Sequence, residues 1–129
     1  MKNLFGRKRQ FGFTMIELLV VTTIIIVITA IGLVSYTAAN RNARNGKRKA
    51  DLEMVRQALV LYRTDIGSYP SGNIFNTMMT TISDYTSATT VTDPKNDDIY
   101  VYAYSSDGIT FTLTGYLEPD GTIYAISNP

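Results

Sequence analysis

Leu18–Ala39 reads LLVVTTIIIVITAIGLVSYTAA and contains no charged residue. A helix of about 22 residues rises roughly 33 Å, close to the ~30 Å hydrocarbon core of a bilayer. Its many β-branched residues lower helix propensity in water. In lipid the backbone must satisfy its own hydrogen bonds, so helix is still the expected state. Thr22, Thr23 and Thr29 are compatible with it, because a hydroxyl can donate to the carbonyl one turn earlier. A secretory signal peptide would have an apolar core of only ~7–15 residues, followed by a small-x-small cleavage site. This run is longer and flows without a turn signal into a second helical stretch, which predicts retention in the mature protein.

The second stretch covers Asn40 to Asp65. Leu52, Val55, Leu59, Tyr62 and Ile66 recur at steps of three and four and make one apolar stripe. Lys49, Glu53, Arg56 and Arg63 take the other face, with Glu53 and Arg56 in reach of each other at i, i+3. Gly67 supplies a stop, and Pro70 follows three residues later. Gly46 costs roughly 1 kcal/mol relative to alanine and predicts a bend or local fraying. The whole helix of about 50 residues would run roughly 75–80 Å, hydrophobic all round in its first half and amphipathic in its second.

After Pro70 the texture changes. Ser71 to Asp98 is rich in Ser, Thr, Asn and Asp, and Ile74, Phe75, Met78, Met79 and Ile82 fall at helical spacing within it. This reads as a connecting loop with a short helix. Three strand signals follow: Ile99–Tyr104, Ile109–Leu117 and Thr122–Ile126, separated by Ser106-Asp107-Gly108 and Glu118-Pro119-Asp120-Gly121. The expected fold is α+β: a long amino-terminal helix packed on a small three-stranded antiparallel β-meander, whose apolar face the Leu52–Ile66 stripe covers. The expected segments are a leader over 1–12, a membrane half of the helix over 13–39 and an amphipathic half over 40–67. A connecting loop over 68–98 and the sheet over 99–129 complete the chain.

With 129 residues there is room for one small domain and one extended element. The chain has no cysteine and no histidine, which removes disulfides, thiolate zinc sites and catalysis by either residue. No nucleophile–base pair and no glycine-rich phosphate loop is visible, so no enzyme is expected. The nine tyrosines, including the Tyr100, Tyr102, Tyr104 row, read as packing residues. Net charge is +1, but unevenly spread. Lys2, Arg7, Lys8 and Arg9 precede the apolar run, Arg41, Arg44, Lys47, Arg48 and Lys49 follow it, and the last half is acidic. Basic blocks that bracket an apolar run are explained by membrane topology more economically than by nucleic acid.

The leader charges hold the amino terminus in the cytoplasm and place the acidic carboxy-terminal half outside. Gly12 presents a peptidase with an unhindered backbone. A cut after Gly12 would expose the α-amine of Phe13, with Glu17 one helical turn beyond. A carboxylate in a membrane helix costs about 2.5–3.5 kcal/mol, and such residues are usually paired and functional. An interfacial Glu17 that reaches headgroups and favours the helix dipole is the alternative reading.

Gly12–Val21, GFTMIELLVV, resembles the processing site of type IV prepilins and type II secretion pseudopilins, the class III prepilin-type signal sequence. The resemblance implies that a prepilin peptidase cuts between Gly12 and Phe13 and that Phe13 becomes N-methylphenylalanine. It also implies that Glu17 neutralises the amine of a neighbouring subunit during assembly. Ala43–Pro70 is similar to the amphipathic half of the helix in small pilins and major pseudopilins; beyond Ser71 only the general layout matches. Many members have a proline late in the membrane run, whereas this chain has none before Ile66 and offers Gly32 as the weak point. Larger pilins close a loop with a disulfide, which a cysteine-free chain lacks. Major pseudopilins often hold calcium in a late loop, for which Glu118 and Asp120 beside Gly121 are the nearest candidates. A plain acidic turn is the alternative, since such a cation needs six or more oxygens. No other cofactor is expected.

The expected function is therefore structural: the subunit of a type IV pilus serving adhesion, motility or DNA uptake. The alternatives are the major pseudopilin of a type II secretion system and, more remotely, a single-pass membrane-anchored binding protein. The expected partners are further copies of the chain, prepilin peptidase, the pilus assembly platform with its motor proteins, and membrane lipid before assembly. Nucleic acid is a possible partner that no motif indicates. The expected location is the inner membrane as a single-pass protein with a cytoplasmic amino terminus, then an extracellular filament.

Overall fold

A computed structural model describes residues 12–88, 90–97 and 99–128. They fall into two compact units, one ending at Thr37 and one beginning at Ala38. Helix α1, Met15–Ile66, contributes to both.

In the first unit every described residue from Gly12 to Thr37 is exposed. α1 contains an 18-residue window of mean hydropathy 2.7, and it is the one helix among the described residues long and apolar enough to cross a membrane. Its threonines are satisfied within the helix: Thr22 and Thr23 both donate to the Leu19 carbonyl, at 2.9 and 2.8 Å, and Thr29 donates to Ile25 at 2.7 Å. Side chains that could have demanded water are thereby made compatible with lipid.

In the second unit the later part of α1 supplies Leu52, Val55, Ala58 and Leu59 to the core, each at most 2 % exposed. Tyr62 packs at the edge of the cluster, but Ile66 is 57 % exposed. The stripe therefore ends one turn earlier than the sequence spacing predicts. Gly67 explains the difference: at φ 92° it leaves the helix, its N–H donating to the Arg63 carbonyl at 2.8 Å, and the chain turns before Ile66 can meet the sheet. α1 stays helical through Gly32 and Gly46. Near Gly46, Asn45 and Arg48 are tied into the domain by side-chain hydrogen bonds, which offsets the conformational freedom of the glycine.

α2, Phe75–Thr81, and a 3₁₀ turn, Ser83–Tyr85, form where the short helix was expected. They bring Phe75, Met78, Met79 and Ile82 into the same core. Three antiparallel strands follow in the order β1 (Ala103–Ser106), β2 (Phe111–Leu117), β3 (Thr122–Ser127). The register pairs Tyr104 with Leu113 and Leu113 with Ile126, so one face of the meander turns Tyr104, Phe111 and Leu113 onto α1.

Two strand starts are later than the sequence predicts. The first strand begins at Ala103, not Ile99, because residues 99–102 direct their polar groups elsewhere. The Tyr100 N–H donates to Asp97 at 3.3 Å, and the Tyr102 hydroxyl donates to Asp51 of α1 at 3.0 Å. The second begins at Phe111, not Ile109. Asp107 Oδ1 accepts the N–H groups of Ile109 and Thr110, at 2.9 and 2.7 Å, and so holds both residues in the turn.

Candidate functional site

Gly12 and Phe13 precede α1 as exposed, non-helical chain, with Phe13 82 % exposed. A Cβ on Gly12 would meet nothing within 4 Å, so no contact inside the described chain demands glycine there. Thr14 and Glu17 begin the helix as a reciprocal pair. The Glu17 N–H donates to Thr14 Oγ1 at 3.2 Å, while Glu17 Oε2 accepts from both the Thr14 N–H and the Thr14 hydroxyl at 2.7 Å. This is a capping box: it satisfies two donors that the first helical turn leaves open, and it sets a negative charge at the positive end of the helix dipole. Glu17 is the one charged group in the first turn of α1 and is exposed, within three residues of the chain that precedes the helix. Thr14 was not singled out by the sequence reading, although Thr-x-x-Glu ahead of an apolar run is a legible signal for it. Lys2, Arg7, Lys8 and Arg9, the expected topology signals, lie outside the described residues.

A second constellation lies in the domain. Arg48 is completely buried and donates twice to Asp93, from Nε to Oδ2 at 2.6 Å and from Nη2 to Oδ1 at 2.9 Å. Its Nη1 donates to Glu118 Oε1 at 2.9 Å and to Asn45 Oδ1 at 2.8 Å. Arg44 grips the same glutamate from outside, with Nε–Oε1 at 2.7 Å and Nη2–Oε2 at 2.5 Å. Asn45 completes the fastening, since its side-chain amide bonds both the carbonyl and the N–H of Glu118. The Tyr100 ring lies 4.7 Å from the Arg48 guanidinium carbon.

These contacts set the charge states. Hydrogen bonds from Arg44 and, against the opposing effect of burial, from Arg48 hold the Glu118 carboxyl down at about 2. Burial pushes Asp93 up, but the Arg48 guanidinium and the Lys95 N–H outweigh it and leave Asp93 below its ordinary value. Asp93 and the hydrogen bonds it accepts raise Arg48. All three groups are charged at neutral pH.

The basic block thus divides. Arg44 and Arg48 are domain residues, not groups free for headgroups, neighbouring subunits or nucleic acid. The spacing carries the reason: counting back from Leu52 by fours gives Arg48 and Arg44 on the core-facing side of α1. Of the two calcium candidates, both Glu118 oxygens are engaged by guanidinium donors, and Asp120 is exposed in the β2–β3 turn. Among the described residues no group of three or more acidic, histidine or cysteine side chains is placed to hold a metal.

The first unit thus carries one carboxylate at the start of an exposed apolar helix long enough to cross a membrane, and the second a helix-packed meander. Residues 7–34 match the prokaryotic N-terminal methylation motif. Across 130 aligned positions, covering 99 % of this chain and 74 % of the relative, the sequence is 28 % identical to the type II secretion system core protein G of Pectobacterium carotovorum subsp. carotovorum. No solved structure matches the chain. The motif and the similarity along the chain are the features it shares with type IV pilins and type II secretion pseudopilins, and both support that family for it.

Proposed function

We propose that the chain is the structural subunit of a type IV pilus. A prepilin peptidase cuts between Gly12 and Phe13 and methylates the new amine. An assembly platform and its motor then draw the subunit from the inner membrane into a fibre of identical copies. The observation that carries this reading is the exposed surface of α1 from Met15 to Thr37, charge-free apart from a single Glu17. In lipid such a surface is already satisfied. Outside the membrane it must be covered, and further copies of the same helix are the cover of matching length and polarity. Within that cover Glu17 needs a cation, and the amine of a neighbour's Phe13 is the group that cleavage creates. A misplaced neighbour would leave the carboxylate unpaired, so the pair sets the stagger. The subunit does no chemistry of its own and needs no cofactor. Arg44 and Arg48 hold the β2–β3 turn that calcium would otherwise have to organise.

One observation favours a second reading, the pseudopilus of a secretion system: the similarity to protein G runs over nearly the whole chain. Mass spectrometry of filaments sheared from whole cells separates the two. A chain beginning at methylated Phe13 in the sheared fraction establishes the pilus. The same processed chain confined to the envelope establishes the pseudopilus, and an unprocessed chain overturns both.

A further inference from the structure

A cleft of about 440 Å³ opens on the domain between the start of α2 and residues 91–93, 96 and 101–103. Its volume lies within the roughly 300–1,000 Å³ of small-ligand sites. Asn73, Asn76, Asn96 and Thr92 line it, and all four are exposed. Their side chains make no hydrogen bond among the described residues. Phe75, Val91 and Tyr102 give the cleft an apolar floor fixed by the core, the two rings 5.6 Å apart.

The electrostatics of the lining select the ligand. Among the described residues no lysine or arginine lines the cleft, so none of them favours an anion. Asp93 is the one acid among its described lining residues, and both carboxylate oxygens are bound by Arg48, with the Lys95 N–H on Oδ1 as well. A cation therefore gains nothing either. What remains is three side-chain amides, each with two donors and an acceptor, beside a rigid apolar surface. That combination suits an uncharged molecule with adjacent hydroxyls on one edge and C–H groups on one face.

We propose that this cleft binds a neutral sugar unit of a surface glycan, with Asn73, Asn76 and Asn96 bonding its hydroxyls and the Phe75–Tyr102 floor receiving its apolar face. The site belongs to the folded domain and does not depend on processing, on filament assembly or on the choice between pilus and pseudopilus.

The full-length chain in detergent micelles is applied to an array of neutral and acidic glycans, beside its Asn73→Ala and Asn76→Ala variants. Both asparagines are exposed, so the variants are expected to melt with the parent. The expected result is binding to neutral glycans, weakened about fivefold to tenfold by each substitution, the effect of one neutral hydrogen bond. No retention of any neutral glycan overturns the proposal. Retention that both variants keep in full also overturns it, as does preference for sialylated or sulfated glycans. A parallel array of extended peptides provides the last arm, where Asn-dependent capture of peptides instead of glycans overturns the sugar assignment.

Discussion

Arg48 and Asp93 meet through two parallel hydrogen bonds, 2.6 and 2.9 Å long, with both side chains completely removed from solvent. One comes from the middle of a helix and the other from a long connection 45 residues later, so the pair fastens the 91–97 segment to α1. A buried pair of this kind adds little over an apolar pair of the same shape, because both ions had to be desolvated. Removing a single partner costs about 3–5 kcal/mol, since a charge is left buried alone.

Arg48→Met is therefore expected to lower the Tm of the domain by at least about 12 °C, read by near-ultraviolet circular dichroism of the tyrosines in the full-length chain. The double variant Arg48→Met/Asp93→Leu is expected to regain most of that loss. If the double variant is as unstable as the single one, the pair is not what stabilises this junction.

Acid should loosen the same junction from the Glu118 side. The folded carboxyl titrates at about 2, below its ordinary 4.5, and Asp93 is shifted in the same direction. The unfolded chain therefore binds protons that the folded one does not, so the contribution is complete above 4.5 and is lost as pH falls towards 2. Tm is expected to decline steeply across that window, and Glu118→Gln to flatten the decline. A wild-type Tm constant between pH 5 and about 2.5 would refute the linkage.

How much of this was legible in the sequence differs between the two ends. The long apolar helix, the meander and the Gly67 stop follow from local rules that a single segment obeys by itself, and the structure has each of them. The arginine junction is not local. Arg48 looks like one more member of a basic run, and only its four-residue spacing from Leu52 betrays an inward direction. Nothing around Asp93 announces that it will meet a helix 45 positions earlier. The early ends of the first two strands were misplaced for a related reason: alternation predicts strand at Ile99 and Ile109, while side-chain carboxylates at Asp97 and Asp107 capture the neighbouring N–H groups.

Gly115 makes a packing prediction. A Cβ there would sit 3.2 Å from Leu52 Cδ1 and 3.2 Å from the Tyr102 ring, tighter than ordinary contact on two sides. Both neighbours belong to the core and have little room to retreat. Gly115→Ala is expected to destabilise by about 1–3 kcal/mol despite the better strand propensity of alanine. An unchanged or raised Tm would mean that the helix–sheet contact is looser than these distances.

Calcium should be dispensable to the domain. The carboxylate oxygens of Glu118 and Asp93 already accept from guanidinium and backbone donors, and among the described residues Asp120 belongs to no group of three or more side chains placed to hold a metal. A ligand raises the melting temperature only by binding the folded state more tightly than the unfolded one. Tm in millimolar calcium and in excess EDTA is expected to agree within about 1 °C. A calcium-dependent rise would restore the late loop as a cation site.

The proposed pairing would give Glu17 a second duty beside its cap, and one substitution divides the two. Its side chain closes the capping box with Thr14, a task that needs an acceptor oxygen but no charge. Pairing with a neighbour's amine needs the charge. Glu17→Gln keeps an acceptor at the same reach, so α1 should still begin at Met15 and cleavage between Gly12 and Phe13 should continue. Sheared filaments are nonetheless expected to become scarce, because the amine would be brought into an apolar core without a counter-ion. Thr14→Ala does the reverse, removing the cap at a cost of about 1 kcal/mol and leaving the charge, so it should reduce filament yield far less than Glu17→Gln. Normal filament yield from Glu17→Gln would show that the carboxylate serves the helix start and not the contact between subunits.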